Sequence, residues 1–259
     1  MHEHFRYTDK TSQRLVLKLT GSACNLACAY CFEQEKKLRF DDTMTPEVID
    51  MTLVAVGKPV GVVLHGGEPL LVGLDRMRAI LQLLRERRRQ VRTVFLMTNA
   101  VLLDPAWLDL FFDEFEDLGI ELSISVDGTS EMNQLRVTPT GEPTFERVMA
   151  GFRLLAERNQ TAGLFSVISR HALPFAEEYI QLLLGVSNLR FVKINPLFDC
   201  GPEGLLPNSI KPAQFTTFLQ EVAFAYVNSG AYESFSVEPL LSYLQVTRGV
   251  DSKFCNFNR

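Results

Sequence analysis

Short apolar runs closed by glycine or polar residues alternate with stretches of helical spacing through most of the chain. In residues 14–20, Leu15, Leu17 and Leu19 share one parity and Val16 and Lys18 the other, which predicts a strand ended by Gly21 and Ser22. Further apolar runs predict strands over residues 60–64, 91–97, 120–126, 164–168 and 189–194. Between them, Leu74, Met77, Ile80, Leu81 and Leu84 fall at helical spacing, as do Leu108, Phe111, Phe112 and Phe115. Phe145, Val148, Met149, Phe152 and Leu155 mark another helix, and residues 175–184 a further one. Thr45-Pro46 and Asp104-Pro105 each pair a capping side chain with proline at the first helical position.

Six strands alternating with helices predict an α/β fold with a parallel sheet, its near-continuous apolar strands buried by helices on both faces. Polar and glycine-rich positions gather directly after the strands, where such folds place ligands. Arg85, Arg87, Arg88 and Arg89 crowd the end of the second helix and suit a solvated C-terminus facing the negative end of its dipole. Beyond residue 195 the pattern changes. A Gly/Pro connector spans 201–211, a helix carries Phe215, Phe218, Leu219, Val222 and Tyr226, and a short apolar segment covers 240–246. The expected divisions are a polar segment over 1–13, a core over 14–200, and a connector, helix and start of a further domain over 201–259.

Composition narrows the setting more than the chemistry. With 46% hydrophobic and 22% charged residues, the 259-residue chain reads as a soluble globular protein. A net charge of −5 supplies no footprint for nucleic acid. No apolar stretch approaches the roughly 18 residues that span a bilayer, and residues 1–10 read as neither signal peptide nor membrane anchor.

Cysteine placement changes the picture. Cys24, Cys28 and Cys31, three of the five cysteines, sit in one loop after the first strand. Structural zinc takes four ligands, and nothing nearby supplies the fourth. Three is also an odd number for a disulfide framework. Buried structural cysteines are common, but three so close in so cysteine-poor a chain point to ligation. Three thiolates on a four-iron cluster would leave one iron open to a small molecule. A reducing, oxygen-poor cytoplasm follows if these thiols hold such a cluster.

The cysteine loop, with Gly66-Gly67-Glu68-Pro69 after the second strand, resembles the radical S-adenosylmethionine (radical SAM) superfamily. The resemblance implies a partial (β/α)6 TIM-like barrel with a short, mainly helical C-terminal extension. It implies a [4Fe–4S] cluster on Cys24, Cys28 and Cys31, with Tyr30 on the adenine side of S-adenosylmethionine (SAM) and Gly66, Gly67, Glu68 and Pro69 near its amino group. Thr98, Asn99, Ser125, Asp127 and Arg136 stand where relatives contact the cofactor, Ser125 and Asp127 toward the ribose and Arg136 toward the carboxylate. Each also suits a turn or cap.

Within the superfamily, Leu64 to Leu70, Thr98-Asn99 with Leu102-Leu103, and Ser125 to Gly128 look most like anaerobic sulfatase maturases and enzymes that crosslink ribosomally made peptides. The residues around Val237-Glu238-Pro239 look like cyclophane-forming members of that branch. The implied activity is reductive cleavage of SAM to a 5′-deoxyadenosyl radical that takes hydrogen from a peptide or protein. Flavodoxin or ferredoxin would deliver the electron, and a separate partner would present a leader peptide. Relatives carry a cysteine-rich auxiliary-cluster domain; here Cys255 resembles its first cysteine, and Cys200 stands alone in the connector. No catalytic base is identified, and His65 suits a structural role better than a catalytic one. The alternatives are a radical SAM enzyme acting on a small-molecule precursor, and a substrate-binding remnant with impaired catalysis.

Overall fold

The computed structural model describes residues 13–33, 43–202 and 204–248. All six expected strands form: β1 (Gln13–Lys18), β2 (Val60–His65), β3 (Val91–Thr98), β4 (Glu121–Ser125), β5 (Ala162–Ile168) and β6 (Leu189–Pro196). They lie side by side in chain order, each parallel to the next. Parallel neighbours need a crossover. Helices α1 (Pro46–Val56), α2 (Leu74–Glu86), α3 (Pro105–Leu108), α4 (Phe145–Glu157) and α5 (Ala176–Gly185) occupy those connections. Both expected caps form: Thr45 Oγ1 accepts from Val48 N at 3.4 Å and Asp104 Oδ1 from Trp107 N at 3.1 Å, each worth about 1 kcal/mol.

One helix departs from its apolar spacing. After Leu108 the chain widens into a π turn over Asp109–Glu114, Phe115 N reaching back to Leu110 O at 3.1 Å, and closes in a 3₁₀ turn over Glu116–Leu118. The wider turn brings Leu110, Phe111 and Phe115 all into the core, more apolar bulk than one stripe of an α-helix holds.

A larger departure follows residue 200. A small antiparallel pair, β7 (Cys200–Gly201) and β8 (Gly204–Leu205), leads to α6 (Pro212–Asn228), which packs on α5 with Phe218 beside Tyr179 at 5.9 Å between ring centroids. Then β9 (Ser236–Glu238) adds to β6 as a seventh parallel strand, followed by α7 (Leu240–Thr247). The core sheet therefore runs past the boundary expected at residue 200. Three residues are too few to show alternation in a sequence.

Burial alternates along the strands. Leu17, Leu64, Leu96, Leu122, Leu164, Val192 and Val237 are at most 2% exposed and share a core with helix residues such as Ile49, Ile80, Phe152 and Ile180. The opposite parity, with Lys18, His65, Met97, Ser125, Phe165, Lys193 and Glu238, is only half-buried. Helices thus cover one face of the sheet, and the other lines the concavity of a partial (β/α) barrel, in place of the expected helix layer on both faces. The inner face still reads as apolar in sequence because Val63 and Phe95 fill the floor of the barrel.

Candidate functional site at the strand ends

β1 hands directly into the cysteine loop, whose backbone is gripped from two sides. From the β2 end, Gly67 N donates to Gly21 O at 3.0 Å and Glu68 N to Ala23 O at 2.8 Å. From the segment after β4, Val137 O accepts from Ala27 N at 2.8 Å and Leu135 O from Ala29 N at 2.9 Å. The glycines are dictated by this grip. A Cβ on Gly67 would fall 2.0 Å from Ala23 O, and Gly66 has φ +139° with Thr20 Oγ1 2.8 Å from where its Cβ would be. Their missing side chains make room for the chain's own loop.

Glu68 is fully buried and binds within the chain. Oε1 accepts from Leu70 N at 3.0 Å and Thr98 Oγ1 at 2.8 Å, and Oε2 accepts from Asn99 N at 2.8 Å. Burial raises its pKa, opposed by those bonds. Three of about four lone-pair sites are thereby filled. Glu68 brackets the ends of β2 and β3 together, and Pro69 opens the 3₁₀ turn Pro69–Val72 that Glu68 caps.

That bracket delivers Asn99 to the thiols. Asn99 Nδ2 lies 2.8 Å from Asn25 Oδ1 and 3.7 Å from Cys24 Sγ, which also receives Leu26 N at 3.4 Å. Cys24, Cys28 and Cys31 form no disulfide. Burial pushes the Cys24 thiol up to about 11, the charges of Cys28 and Cys31 adding to the effect; burial also raises Cys28, against the pull of Arg136. Iron ligation would ionise these thiols outright. Among the described residues no three such side chains converge on a single metal ion. The three thiols share one loop, with Cys31 N donating to Cys28 O at 2.9 Å, and a cluster spreads its ligands over separate irons.

Beside the loop, Tyr30, Asp127 and Arg136 form a buried network. Tyr30 OH donates to Asp127 Oδ2 at 2.6 Å and accepts from Arg136 Nη1 at 2.8 Å, while Asp127 Oδ1 accepts from Val167 N at 3.1 Å. Burial raises Asp127 against the opposing charge of Arg136. Burial also opposes the Arg136 charge, but Tyr30 and Asp127 outweigh it and hold the guanidinium above its ordinary pKa. Arg136 is 8% exposed, and its Nε is buried with no hydrogen-bond partner among the described residues. A buried orphan donor on a fixed cation suits an incoming carboxylate. The residues present therefore fit a thiolate-held cluster and an anionic cofactor group beside it.

The other expected residues divide. Ser125 stands half-buried at the end of β4, opposite Phe165, whereas Asp127 has both oxygens engaged inside the chain. His65 Nδ1 accepts from Gly66 N at 2.7 Å, and burial lowers its pKa. His171 bonds Ser169 Oγ at 2.9 Å and Met132 O at 3.1 Å. Cys200 is exposed, and Cys255 lies outside the described residues. Glu33, two residues after the last loop cysteine, is 7% exposed and accepts from Lys18 Nζ and Ser22 Oγ, both at 2.7 Å. That strut ties the loop's exit to its entry. Its partners are 15 and 11 residues away, so sequence spacing gave no sign of it.

The sequence profile of the Radical SAM superfamily matches residues 19–175, more than half of the chain. The chain belongs to the radical SAM superfamily. Among curated relatives, it is 26% identical over 187 residues to an uncharacterized protein of Methanocaldococcus jannaschii, covering 71% of this chain and 63% of that one. It is 25% identical over 222 residues to the cysteine-type anaerobic sulfatase-maturating enzyme of Clostridium perfringens, covering 80% and 58%. The chain thus spans about three fifths of the length of these relatives. Its fold matches native anSMEcpe with bound AdoMet and the Cp18Cys peptide at TM-score 0.82, with 22% identity over 95% of this chain and 69% of that one. Streptococcus suis SuiB bound to precursor peptide SuiA matches at TM-score 0.63, with 16% identity over 88% and 49%. Among the described residues no helix is long and apolar enough to cross a membrane.

Proposed function

We propose that the chain uses SAM and a [4Fe–4S] cluster to modify or crosslink a peptide or protein. When bound, the cluster and SAM supply reductive cleavage of the sulfonium–carbon bond, giving methionine and a 5′-deoxyadenosyl radical that removes a hydrogen atom from substrate. Cys24, Cys28 and Cys31 would hold three irons and leave the fourth open. Asn99 and Leu26 donate to the Cys24 sulfur, which favours the reduced, more negative state of whatever that sulfur ligates. Arg136 would take the SAM carboxylate on its orphan Nε, and Tyr30 and Asp127 fix that guanidinium in place. Ser125 is positioned for the ribose. Gly66, Gly67, Glu68, Pro69 and Thr98 would shape the methionine end, chiefly by holding the loop backbone against β2 and β3.

The peptide substrate is supported by the branch to which the fold and the curated relatives point. The electron would come from flavodoxin or ferredoxin in a reducing cytoplasm. Division into a core over 14–200 and a further unit over 201–259 is retained as a proposal about sequence organisation, with β9 as the stretch that joins the two.

One observation carries this reading: three thiols that form no disulfide share a loop gripped by Gly67 and Glu68 and lie beside a buried arginine with a spare donor. Anaerobic reconstitution should give about four irons per chain and 5′-deoxyadenosine on reduction with SAM. Iron binding or SAM cleavage that survives in Cys24→Ala, Cys28→Ala and Cys31→Ala would remove the site.

A further inference from the structure

One row of inward-facing side chains crosses four strands without a break. Register pairs Ser125 of β4 with Phe165 of β5, Phe165 with Lys193 of β6, and Lys193 with Glu238 of β9. At about 4.8 Å per strand the row spans roughly 14 Å, from the position assigned to the ribose out to the seventh strand. Its members are half-buried, while their neighbours Leu164, Ile194 and Val237 lie in the core. The row beneath it, Ser123, Gly163, Phe191 and Ser236, makes its floor. The Phe191 ring occupies the space above Gly163, where a Cβ would come within 2.3 Å of it, and Phe165 stands edge-on to that ring at 5.8 Å.

The polar groups of the row are presented to the concavity. Lys193 Nζ lies 5.8 Å from the centroid of the Phe165 ring, and its charge acts on Glu238. Ser242 at the start of α7 donates to Glu238 Oε2 from both N (3.3 Å) and Oγ (2.6 Å). Oε1 takes no hydrogen bond from the described residues. The carboxylate is therefore fixed through one oxygen with the other left to accept.

Resting on the function proposed above, we infer that Phe165, Lys193 and Glu238 form a peptide-backbone subsite, Lys193 donating to a substrate carbonyl and Glu238 accepting a substrate amide N–H beside the Phe165 ring. A phosphorylated or polycarboxylate precursor needs surplus cation, whereas the row sets a glutamate beside its lysine. A donor next to an acceptor complements an amide dipole. Phe165 supplies an apolar, polarisable surface for the adjoining side chain.

The test uses anaerobically reconstituted protein and a pool of short, end-capped peptides with a central cysteine or serine and randomised flanks. It reads iron content, 5′-deoxyadenosine formed without peptide, and the peptide concentration giving half-maximal stimulation of that product. Glu238→Gln and Lys193→Met should each raise this concentration about tenfold, the value of one charged hydrogen bond, with iron content unchanged and stimulation measured against each variant's own peptide-free rate. Glu238→Gln keeps an acceptor for Ser242, and Lys193→Met keeps the apolar stem over Phe165, so both should fold. The double swap Lys193→Glu/Glu238→Lys should recover part of the loss, since an amide dipole can be read in either direction. Stimulation indifferent to these variants, or SAM cleavage that no peptide stimulates while a phosphorylated small molecule does, overturns the subsite. A wild-type protein that binds iron but makes no 5′-deoxyadenosine overturns the function on which it rests.

Discussion

At the ends of β2 and β3, Glu68, Thr98 and Asn99 spend their polar atoms on one another and on the cysteine loop. Along β5, β6 and β9, Phe165, Lys193 and Glu238 stand half-buried in a concave wall, with a glutamate oxygen to spare. On the function proposed above, the first region would hold three sulfurs in register while a ligand exchanges, and its polar atoms are accordingly satisfied within the chain. The second would admit and release substrate. Pre-organisation and receptivity are distributed between two halves of one sheet, and their variants should fail in different ways.

The sharpest break lies on the rigid side. Cys24→Ala, Cys28→Ala and Cys31→Ala should each reduce bound iron and 5′-deoxyadenosine to background, with the fold retained, as read by iron assay and circular dichroism. A smaller but global effect is expected for Glu68→Gln. The amide oxygen can serve Leu70 N and Thr98 Oγ1, but its NH₂ group then faces Asn99 N, donor against donor. With the side chain fully buried, the loss is about 3 kcal/mol by denaturant titration. Gly67→Ala should cost about 2 kcal/mol and impair cluster loading, because the clash is with the backbone of Ala23. Gly185→Ala, at an open position with no unusual φ, is the matched control and should change neither.

The rigid half was the more legible in sequence, for a physical reason. Its three thiols fall in one loop, and the strands around it, β1 to β4, each carry enough apolar residues to show as strands. What sequence could not show were contacts that join distant segments: Glu68 with Asn99, 31 residues apart, and Tyr30 with Arg136, 106 apart. The family resemblance implied cofactor contact for Glu68 and Asp127; in the fold both also hold other site elements together. In the receptive wall β5 and β6 were legible, but the third strand was not. β9 is three residues long, and Lys193 and Glu238 become neighbours only through its register with β6.

Between the two extremes stands Asn99, which touches a sulfur without ligating. Asn99→Ala removes the donors to Cys24 Sγ and Asn25 Oδ1 but leaves the backbone bond to Glu68. Cluster retention against a chelator should weaken about tenfold, the low end for a group behind a ligand, and the midpoint potential read by electron paramagnetic resonance should fall. Unchanged retention and potential would reduce Asn99 to a turn residue and shift the rigid half's boundary back to Glu68.

The smallest effect is expected where the chain looks most heavily bonded. Arg87 forms two hydrogen bonds with Asp50, at 2.6 and 2.8 Å, joining the end of α2 to α1; the pairing raises the arginine's pKa and lowers the aspartate's. Solvent screens both groups, and surface pairs of this kind add little to stability even at short range. Arg87→Ala should therefore leave the Tm within measurement error and iron loading at the wild-type level, unlike Glu68→Gln, whose bonds are no shorter. A drop as large as that of Glu68→Gln would mean that α1 and α2 brace the cysteine loop from behind, extending the rigid half into the helix layer.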